Sequence, residues 1–530
     1  MNFPTNANAT DRWQARSMVI SARGIVATSQ TLASQAGAQI LGRGGSAADA
    51  AIAANAVLSV VEPMMSGIGG DLFVLYREAG GHLHGLNASG PAPRGLSIEW
   101  LRAQGLERPD GIHAVTAPGC ARGWESVHRR FGRLPWRDLF QPAMHYCDHG
   151  FPLTEIIQSD WAGSAAKAPK PAPRVGEMVC NPALTHAFGL IAEMGADAFY
   201  AGPIGKALIE TSRALGGTMT AEDLAEFAPE WVRPISTSYR DWTVSELPPN
   251  GQGVGALEML NIMERFSLGD GDAVSALHCM IEAQKLAYED LEAFNADPRL
   301  VEVPVRGLLE KGYAAKRAGL IDPARARCGY GAGTPAREPG NTTYLAVVDA
   351  EGNIASWIQS IADLWGTGIM VERFGFPLHS RGEGFSMDAE HPNALAPGKR
   401  PYHTIIPGYM ERGNLHIGFG IMRGINQAQA HAQFVSNVGD RGMNIQQALE
   451  APRFTRTTTA GREVKIENRV PESVRCELAA MGHEVTTVGE YSGWMGGGNA
   501  VLHDSAERVN YGASSPRKDG AAIPEPMPWK

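Results

Sequence analysis

The feature that most constrains this chain is residues 340–349, Gly-Asn-Thr-Thr-Tyr-Leu-Ala-Val-Val-Asp, where a loop rich in proline and glycine leads directly into an apolar stretch. Such a stretch behind a loop predicts a strand, with Thr342 at its mouth. If the Asn341–Thr342 bond were cut, the new α-amine of Thr342 would lie beside its own hydroxyl and could act as its general base. The run therefore predicts either an ordinary entry into a strand or a cleavage site and a nucleophile in one residue.

Hydrophobic periodicity elsewhere predicts both helices and strands. Ala-rich and amphipathic stretches with helical spacing occupy residues 31–41, 47–61, 278–294 and 427–438, and the glycines of 42–45 separate the first two. Strand-like stretches occupy residues 72–76, 344–349, 354–361 and 415–420, and residues 349–353 are typical of a hairpin between the middle two. Periodicity alone therefore indicates a chain of mixed α and β structure.

Length and composition limit the possible organisation and partners. The 530 residues contain no Ser/Gly linker, charge block or low-complexity run, so we expect two interleaved halves of one compact body. The net charge of −9 is modest and the basic residues are scattered, which argues against a nucleic-acid partner. The six cysteines form no C-x-x-C pair, so the sequence favours free buried thiols over a zinc site or a disulfide framework.

The amino-terminal segment and the apolar stretches bear on location. Residues 1–20 contain two arginines and an aspartate but no apolar core of the length that a signal peptide needs. No later stretch approaches the length of a membrane span. We therefore expect a cytoplasmic protein without a membrane partner.

Six short motifs, taken in this order, give the chain a family resemblance. From residue 25 to residue 523 it resembles the γ-glutamyltranspeptidase family of N-terminal-nucleophile hydrolases. The motifs are Gly-Gly-Ser-Ala-Ala-Asp-Ala-Ala (44–51), Glu-Pro (62–63) with Gly-Ile-Gly-Gly-Asp (67–71), Asn-Thr-Thr (341–343), Gly-Thr-Gly (366–368), Gly-Lys-Arg-Pro (398–401) and Asp-Gly-Ala-Ala (519–522).

The resemblance implies a fold and a maturation step. In this family a single-chain precursor cleaves itself before a threonine, which here implies a large subunit 1–341 and a small subunit 342–530 that stay together, with Thr342 as the nucleophile. It also implies an α+β fold, the four-layer αββα sandwich with two stacked antiparallel sheets between helical layers. No metal or organic cofactor is expected. Apolar residues near the two ends, Trp13 and Trp529, leave open a homodimer of the processed protein.

The resemblance also implies catalytic groups around Thr342. The turn after the strand at 415–420 is suited to hold an oxyanion through the N–H groups of Arg423 and Gly424, where relatives have a Gly-Gly pair. The Arg423 side chain would lie either near that site or in solvent. Ser360 occupies the position of a supporting hydroxyl eighteen residues after the nucleophile, and Thr343 is a second hydroxyl that could hold the Thr342 amine.

The substrate-binding positions depart from the family pattern. An arginine, an asparagine, a glutamine and an aspartate that bind the γ-glutamyl α-carboxylate and α-amine are replaced here by Ser89, Ala362, Arg381 and Gly384 respectively. A buried ammonium without a counter-charge loses several kcal/mol of affinity, so this loss should remove γ-glutamyl specificity. The paired serines after the Gly-Lys-Arg-Pro motif also change, and the residues there are Tyr402, His403 and Thr404.

The remaining positive character comes from Arg381, from Arg423 if its side chain lies near the site, and from His403 if its ring is protonated; it suits a carboxylate. We therefore expect hydrolysis of a small anionic amide, as in the family branch that resembles oxamate amidohydrolase and the cephalosporin acylases. A γ-glutamyl hydrolase or transferase remains the first alternative, and an inactive binding or scaffold homologue the second. Glu62, Asp71 and His278 are assigned no role beyond capping, surface or core packing.

Overall fold

The computed structural model describes residues 14–269, 272–331 and 343–528. Its α-helices are α1 (Thr31–Gly42), α2 (Ala47–Val61), α3 (Ile98–Ala103), α4 (Cys120–Phe131), α5 (Gln141–His149), α6 (Glu155–Gly163), α7 (Pro182–Met194), α8 (Asp197–Tyr200), α9 (Pro203–Ala214), α10 (Ala221–Ala225), α11 (Gly253–Met263), α12 (Ala273–Phe294), α13 (Val305–Leu308), α14 (Lys311–Ala318), α15 (Asn426–Gly439), α16 (Ile445–Glu450) and α17 (Glu472–Ala480).

The strands of the same residues are β1 (Val19–Ser21), β2 (Ile25–Thr28), β3 (Asp71–Arg77), β4 (Leu83–Ala88), β5 (Phe151–Pro152), β6 (Met178–Val179), β7 (Glu230–Val232), β8 (Ile235–Tyr239), β9 (Trp242–Glu246), β10 (Thr343–Val348), β11 (Ile354–Ser360), β12 (Met370–Val371), β13 (Phe376–Pro377), β14 (Gly408–Arg412), β15 (Leu415–Ile421), β16 (Phe454–Thr455), β17 (Glu463–Glu467), β18 (Glu484–Val488), β19 (Gly498–Asp504), β20 (Val509–Ser514) and β21 (Ala521–Pro524).

Two antiparallel sheets form the centre of the molecule. Within the described residues, one has the strand order β1-β20-β19-β15-β14-β9-β8 and the other the order β21-β2-β10-β11-β3-β4-β7. The strand that follows the proposed cleavage site, β10, lies inside the second sheet between β2 and β11. The sheet therefore fixes β10 by hydrogen bonds on both edges.

Alternation along β10 shows how the layers stack. Tyr344, Ala346 and Val348 belong to an apolar cluster between the two sheets, whereas Leu345 and Val347 pack on the opposite face against the helices. This is the two-residue period of a strand that is covered on both sides. Outside the first sheet, residues of α11, α12, α15 and α16 close a further apolar cluster. The predicted αββα sandwich is confirmed.

The sheets approach each other closely beside the site. A Cβ built on Gly420 in β15 would lie 2.4 Å from the Tyr344 ring of β10, a distance that real side chains do not adopt. Glycine at this position therefore lets β15 and β10 stack in direct contact. The close contact brings the carboxyl end of β15 next to the amino end of β10.

Local signals explain the elements on which the sequence was clear. The helix α2 begins at a capping box, in which the Ser46 hydroxyl accepts the Asp49 N–H at 3.2 Å and the Asp49 carboxylate accepts the Ser46 N–H at 2.9 Å. The hairpin of β10 and β11 is as predicted, and Asp349 accepts the Asn353 N–H at 2.9 Å within its turn. The helix predicted at 278–294 begins earlier, because Asp272 caps its first turn.

The cysteines differ from the expectation that all of their thiols are buried. Cys120, Cys147 and Cys279 are free and buried, but Cys180, Cys328 and Cys476 are free and exposed, so the expectation of buried thiols is wrong for half of them. In the described part of the chain, no helix combines the length and the apolar character that crossing a membrane requires. The cytoplasmic location stays a prediction.

Candidate functional site

The site is formed where β3, β10 and β11 begin or end together. Thr343 opens β10 opposite Gln359, and Ser360, the last residue of β11, pairs with Asp71, the first residue of β3. Asn341 and Thr342 lie outside the described residues, as does the side chain of Thr343. The described groups at this strand edge are therefore the neighbours of Thr343, the residue that follows Thr342 in the chain.

A buried guanidinium connects two hydroxyls at this edge. Arg381, only 5% exposed, donates through Nη1 to the Thr404 hydroxyl at 2.9 Å and through Nη2 to the Ser360 hydroxyl at 3.3 Å. The Ser360 Oγ also accepts the Ala362 N–H at 2.9 Å. Three of the residues expected from sequence, Ser360, Arg381 and Thr404, are thus brought together by tertiary structure.

Asp71 supplies the negative charge of this cluster. Its Oδ2 accepts a hydrogen bond from His403 Nε2 at 2.9 Å and lies 3.6 Å from His379 Nδ1 and 3.9 Å from Arg381 Nε. Burial alone would raise the pKa of Asp71, but the nearby His379, His403 and Arg381 hold it below its ordinary value. The sequence assigns Asp71 no role beyond capping or packing, and the structure places its carboxylate at the centre of a buried polar network.

His403 adds no positive charge to the site. Its ring is fully buried against Phe73, and burial followed by the neighbouring Arg381 lowers its pKa to about 3, despite the hydrogen bond to Asp71. Its Nδ1 accepts the Ile405 N–H at 3.3 Å, which assigns the proton to Nε2. The expected contribution of a protonated His403 is therefore corrected: the imidazole is neutral and orients the Asp71 carboxylate.

Gln252, which the sequence did not single out, connects the remaining site residues. Its Nε2 donates to the Gly424 carbonyl at 2.8 Å and to the Thr404 carbonyl, and its Oε1 accepts the Tyr402 hydroxyl at 3.1 Å. Gln252 immediately precedes α11 and is completely buried. Its amide therefore ties the residues 402–404 to the turn that contains Gly424.

The turn between β15 and α15 has the backbone expected of an oxyanion site. Arg423 and Gly424 both have positive φ, 93° and 49°, and for an arginine this conformation is strained. Among the described residues no acceptor binds the Gly424 N–H. The turn also precedes the amino terminus of the fourteen-residue helix α15, whose dipole favours negative charge there.

The side chain of Arg423 does not extend into solvent. Its guanidinium stacks on the Trp494 ring at 4.4 Å from the centroid, and Lys465 Nζ lies 4.7 Å from the same ring. It also borders a small cavity of about 40 Å³ with Met65, Asp160 and other residues. Burial lowers the pKa of Arg423, and Asp160 opposes that effect.

Ser89 lies beside the cluster but bonds elsewhere. Its hydroxyl donates to Asn87 Oδ1 at 2.7 Å and accepts from Asn250 Nδ2 at 3.2 Å. The next residue, Gly90, donates its N–H to Asp71 Oδ1 at 3.3 Å. Ser89 therefore bonds Asn87 and Asn250 beside Asp71 rather than Asp71 itself, and its contact with substrate stays a prediction.

A pair of acids lies near Arg381, next to the position where the family aspartate is missing. Asp363 and Glu383 face Lys167, whose Nζ is 3.3 Å from Asp363 and 3.9 Å from Glu383. Burial, followed by the neighbouring Asp363, raises the pKa of Glu383 to about 7, although Lys167 opposes the rise. Asp363 and Glu383 thus supply carboxyl groups next to the position where relatives have an aspartate and this chain has Gly384. The ammonium of Lys167 is already paired with both of them.

The assembled geometry offers the parts of acyl transfer to water. It combines a backbone turn whose Gly424 N–H has no acceptor among the described residues, hydroxyls bound by a guanidinium, and a buried carboxylate 3.9 Å from that guanidinium. Asp71, Gln252 and His379 were missed because their role depends on contacts between distant parts of the chain. The Gly-Ile-Gly-Gly-Asp run that ends at Asp71 was the signal available for it.

Comparison with known proteins agrees with this architecture. The sequence pattern of the gamma-glutamyltranspeptidase family matches residues 33–525. The glutathione hydrolase-like YwrD proenzyme of Bacillus subtilis is 34% identical over 95% of this chain and 99% of its own. The oxamate amidohydrolase proenzyme of Klebsiella pneumoniae is 32% identical over 95% and 98%.

A solved structure extends the likeness to the whole fold. The crystal structure of cephalosporin acylase from Bacillus halodurans is 37% identical, covers all of both chains and superposes with a TM-score of 0.91. Sequence and fold thus agree over the full length. The chain belongs to the gamma-glutamyltranspeptidase family and is an amidohydrolase of its self-processing, N-terminal-nucleophile type.

Proposed function

We propose that the chain cuts itself between Asn341 and Thr342 and that Thr342 then hydrolyses a small anionic amide of the oxamate type. The large subunit is 1–341 and the small subunit 342–530. The observation that carries the substrate class is the buried Arg381, which donates to Ser360 and Thr404 at the strand edge beside Thr343. A guanidinium at that edge favours an acyl group that bears a carboxylate.

The neighbours of β10 support Thr342 as the nucleophile. Thr342 is bonded to Thr343, whose strand partner Gln359 directly precedes Ser360. The Gly424 turn lies at the end of β15, the strand of the other sheet that stacks on Tyr344. Ser360 and the Gly424 turn, to which we assign hydroxyl support and oxyanion binding, thus lie on elements that pack around the start of β10.

The reaction has two chemical steps. The α-amine of Thr342 takes the hydroxyl proton as Oγ attacks the amide carbon, and the N–H groups of Arg423 and Gly424 stabilise the oxyanion. Collapse breaks the C–N bond, and the ammonium of Thr342 returns the proton to the leaving ammonia or amine. Water, deprotonated by the same amine, then cleaves the ester, which releases the carboxylic acid and restores the Thr342 hydroxyl.

A γ-glutamyl hydrolase is the second candidate, and one observation favours it. Asp363 and Glu383 could bind the α-ammonium of a γ-glutamyl group in place of the aspartate that Gly384 replaces. Against this, Lys167 is already paired with both carboxylates. The anionic amide therefore remains the better match.

Intact mass under denaturing conditions, followed by a substrate panel, tests the proposal. Two species whose masses place the break before Thr342 are expected. The processed protein should then release ammonia from oxamate or succinamate faster than it releases p-nitroaniline from γ-glutamyl-p-nitroanilide. A chain that stays whole after prolonged incubation would favour the alternative of an inactive binding protein. Faster hydrolysis of γ-glutamyl-p-nitroanilide than of the anionic amides would favour the γ-glutamyl candidate.

A further inference from the structure

A stripe of four polar residues runs along one buried face of α12. His278, Glu282, Lys285 and Glu289 are spaced four, three and four residues apart, which places them on one side of the helix. All four are buried, and the side chains of Glu282 and Lys285 are completely so. Charged residues are rarely buried unless they are paired, so the groups that bind this stripe are informative.

Two members of the stripe bind carbonyl groups of residues 322–331, which we name the strap. His278 Nε2 bonds the Asp322 carbonyl at 2.8 Å. Lys285 Nζ donates to the Arg327 carbonyl at 2.5 Å. These contacts bind the backbone of the strap rather than its side chains, so they fix the path of the chain.

The two carboxylates of the stripe bind donors near the end of the strap. Glu282 Oε2 accepts the Tyr330 hydroxyl and, at 3.4 Å, the Arg327 N–H. Glu289 accepts the Tyr330 N–H with both oxygens, at 2.9 and 3.0 Å. Tyr330 is thus bound through its side chain and its backbone, twelve residues before Thr342.

The strap also contacts residues on the other side of the proposed cleavage site. The Ala326 N–H donates to the Met481 carbonyl at 2.8 Å, and the Gly461 N–H donates to the Cys328 carbonyl. The strap therefore lies between α12, in the proposed large subunit, and residues that the cut would assign to the small one.

The same cluster has the residue types of a metal site, but a lysine opposes that assignment. Among the described residues, His278, Glu282 and His483 bring potential ligand atoms within 4.8 Å of one another. Lys285 Nζ, however, lies 2.6 Å from Glu282 Oε1 and binds the oxygen that a cation would need. The ammonium is thus the cation that this carboxylate already binds.

We propose that the stripe positions the strap for self-processing: it fixes the point from which residues 332–341 start toward the scissile bond and keeps the new carboxyl-terminal tail bound after the cut. The inference rests on the proposed cleavage before Thr342. A buried ion pair such as Glu282–Lys285 adds little net stability compared with apolar residues of the same size, so its contribution here is geometric. The stripe residues are positioning residues and do not touch the substrate.

Two tyrosines that donate to carboxylates on α12 provide a matched test. Tyr330 bonds Glu282 from within the strap, whereas Tyr313 bonds Asp290 at 2.7 Å from α14. Removing one such hydroxyl should lengthen the half-time of precursor cleavage about fivefold or more in Tyr330→Phe and change it less than about twofold in Tyr313→Phe. The kcat of the cleaved Tyr330→Phe protein, per titrated active site, should equal that of the wild type.

A second variant and a second readout keep the inference testable. Glu282→Gln should slow cleavage further, and in both variants the amides of Arg327 and Tyr330 should exchange hydrogen faster than in the wild type. Cleavage at the wild-type rate in Tyr330→Phe and Glu282→Gln would overturn the positioning role, whether or not exchange rises. A wild-type chain that is never cut would instead refute the proposed function. If, in addition, the amides of Arg327 and Tyr330 exchanged hydrogen at the same rate in the wild type and in the two variants, the anchoring of the strap would be refuted as well.

Discussion

The Asp71 cluster and the stripe on α12 both bury charge, but they use it differently. Around Asp71 most partners are side chains: His403 bonds the carboxylate and Arg381 bonds two hydroxyls, while the Gly90 N–H is a backbone donor to Asp71. On α12 most partners are backbone groups of the strap.

The difference shows what each arrangement can do. Side-chain donors around Asp71 can exchange a protein hydroxyl for a ligand oxygen without moving the chain. Charges that are bound to backbone groups cannot be redirected in this way, so they fix the course of the chain instead. This difference agrees with the two proposed roles, binding of substrate in the first region and positioning of the strap in the second.

The largest effect should come from Thr342→Ala. Without the hydroxyl neither cleavage nor an acyl-enzyme is possible, so the chain should stay whole and amide hydrolysis should fall by about four orders of magnitude or more. Mass spectrometry and ammonia release measure the two losses. Thr342→Ser, which keeps a hydroxyl, is the control and should still cut. The strap amides should stay protected in both variants, and a processed Thr342→Ala protein would contradict the scheme.

Asp71→Asn should be the most destabilising of the site variants. It leaves the Arg381 guanidinium buried without its counter-charge, which should lower the free energy of unfolding by about 3–5 kcal/mol. Because the pKa of Asp71 is depressed in the folded state, its contribution is complete above the unfolded pKa of about 4 and is lost as the pH falls through the lower folded value. Denaturant titrations at several pH values measure it.

Asp241→Asn is the matched control for that variant. Asp241 is 61% exposed and pairs with Arg412 at 2.7 Å on the surface, so its loss should cost about 1 kcal/mol or less. Equal losses in the two variants, or a loss in Asp71→Asn that does not decrease as the pH is lowered, would show that the charge of Asp71 is not what stabilises the cluster.

Arg381→Gln should change substrate preference. Loss of charged hydrogen bonds worth about 1.5–3 kcal/mol should lower kcat/KM for oxamate or succinamate roughly 10- to 100-fold. A neutral amide such as propionamide should be affected little. Arg381→Lys keeps the charge without the planar fork and should recover part of the loss. An equal decrease for the anionic and neutral amides would mean that Arg381 supports the structure of the site rather than binding a carboxylate.

The smallest effect is expected from Lys167→Ala. Freeing Asp363 and Glu383 from a partly exposed lysine should raise kcat/KM for γ-glutamyl-p-nitroanilide by about fivefold at most. Since Lys167 lowers the pKa of Glu383, which is about 7, its removal should move the corresponding midpoint in the pH profile upward. Lys170→Ala, next to Trp161, is the control. An unchanged pH profile in Lys167→Ala would show that Asp363 and Glu383 take no part in substrate binding.

Local sequence was a sufficient guide where one element contained the whole signal. The alternation after Thr343 predicted β10 and its hairpin, and the Ala-rich stretch at 47–61 predicted α2 to the residue. On α12 the same reasoning predicted the helix but not the partners of its polar residues, because the spacing of a polar stripe is the same whether the stripe faces solvent or another buried segment. His278 was therefore set aside as surface or packing.

The candidate site was predicted in part. Ser360, Arg381, His403 and Thr404 were named in advance, and the structure brings them together, whereas Asp71 was assigned no role and Gln252 was not considered. Gln252 bonds the Gly424 carbonyl 172 positions away, and Asp71 bonds His403 332 positions away. No local pattern contains such a contact, and burial decided the charge of His403 as well.

The sequence by itself determined the family, several of the helices and strands, and the position of the threonine at which the chain is proposed to cut itself, because motifs and periodicity are local properties. Only the tertiary structure decided which charges are neutralised and which donors remain available. Asp71 compensates Arg381, burial keeps His403 neutral, and Lys167 binds the acids beside Gly384. These outcomes depend on distance and desolvation in three dimensions, which the order of residues alone does not contain.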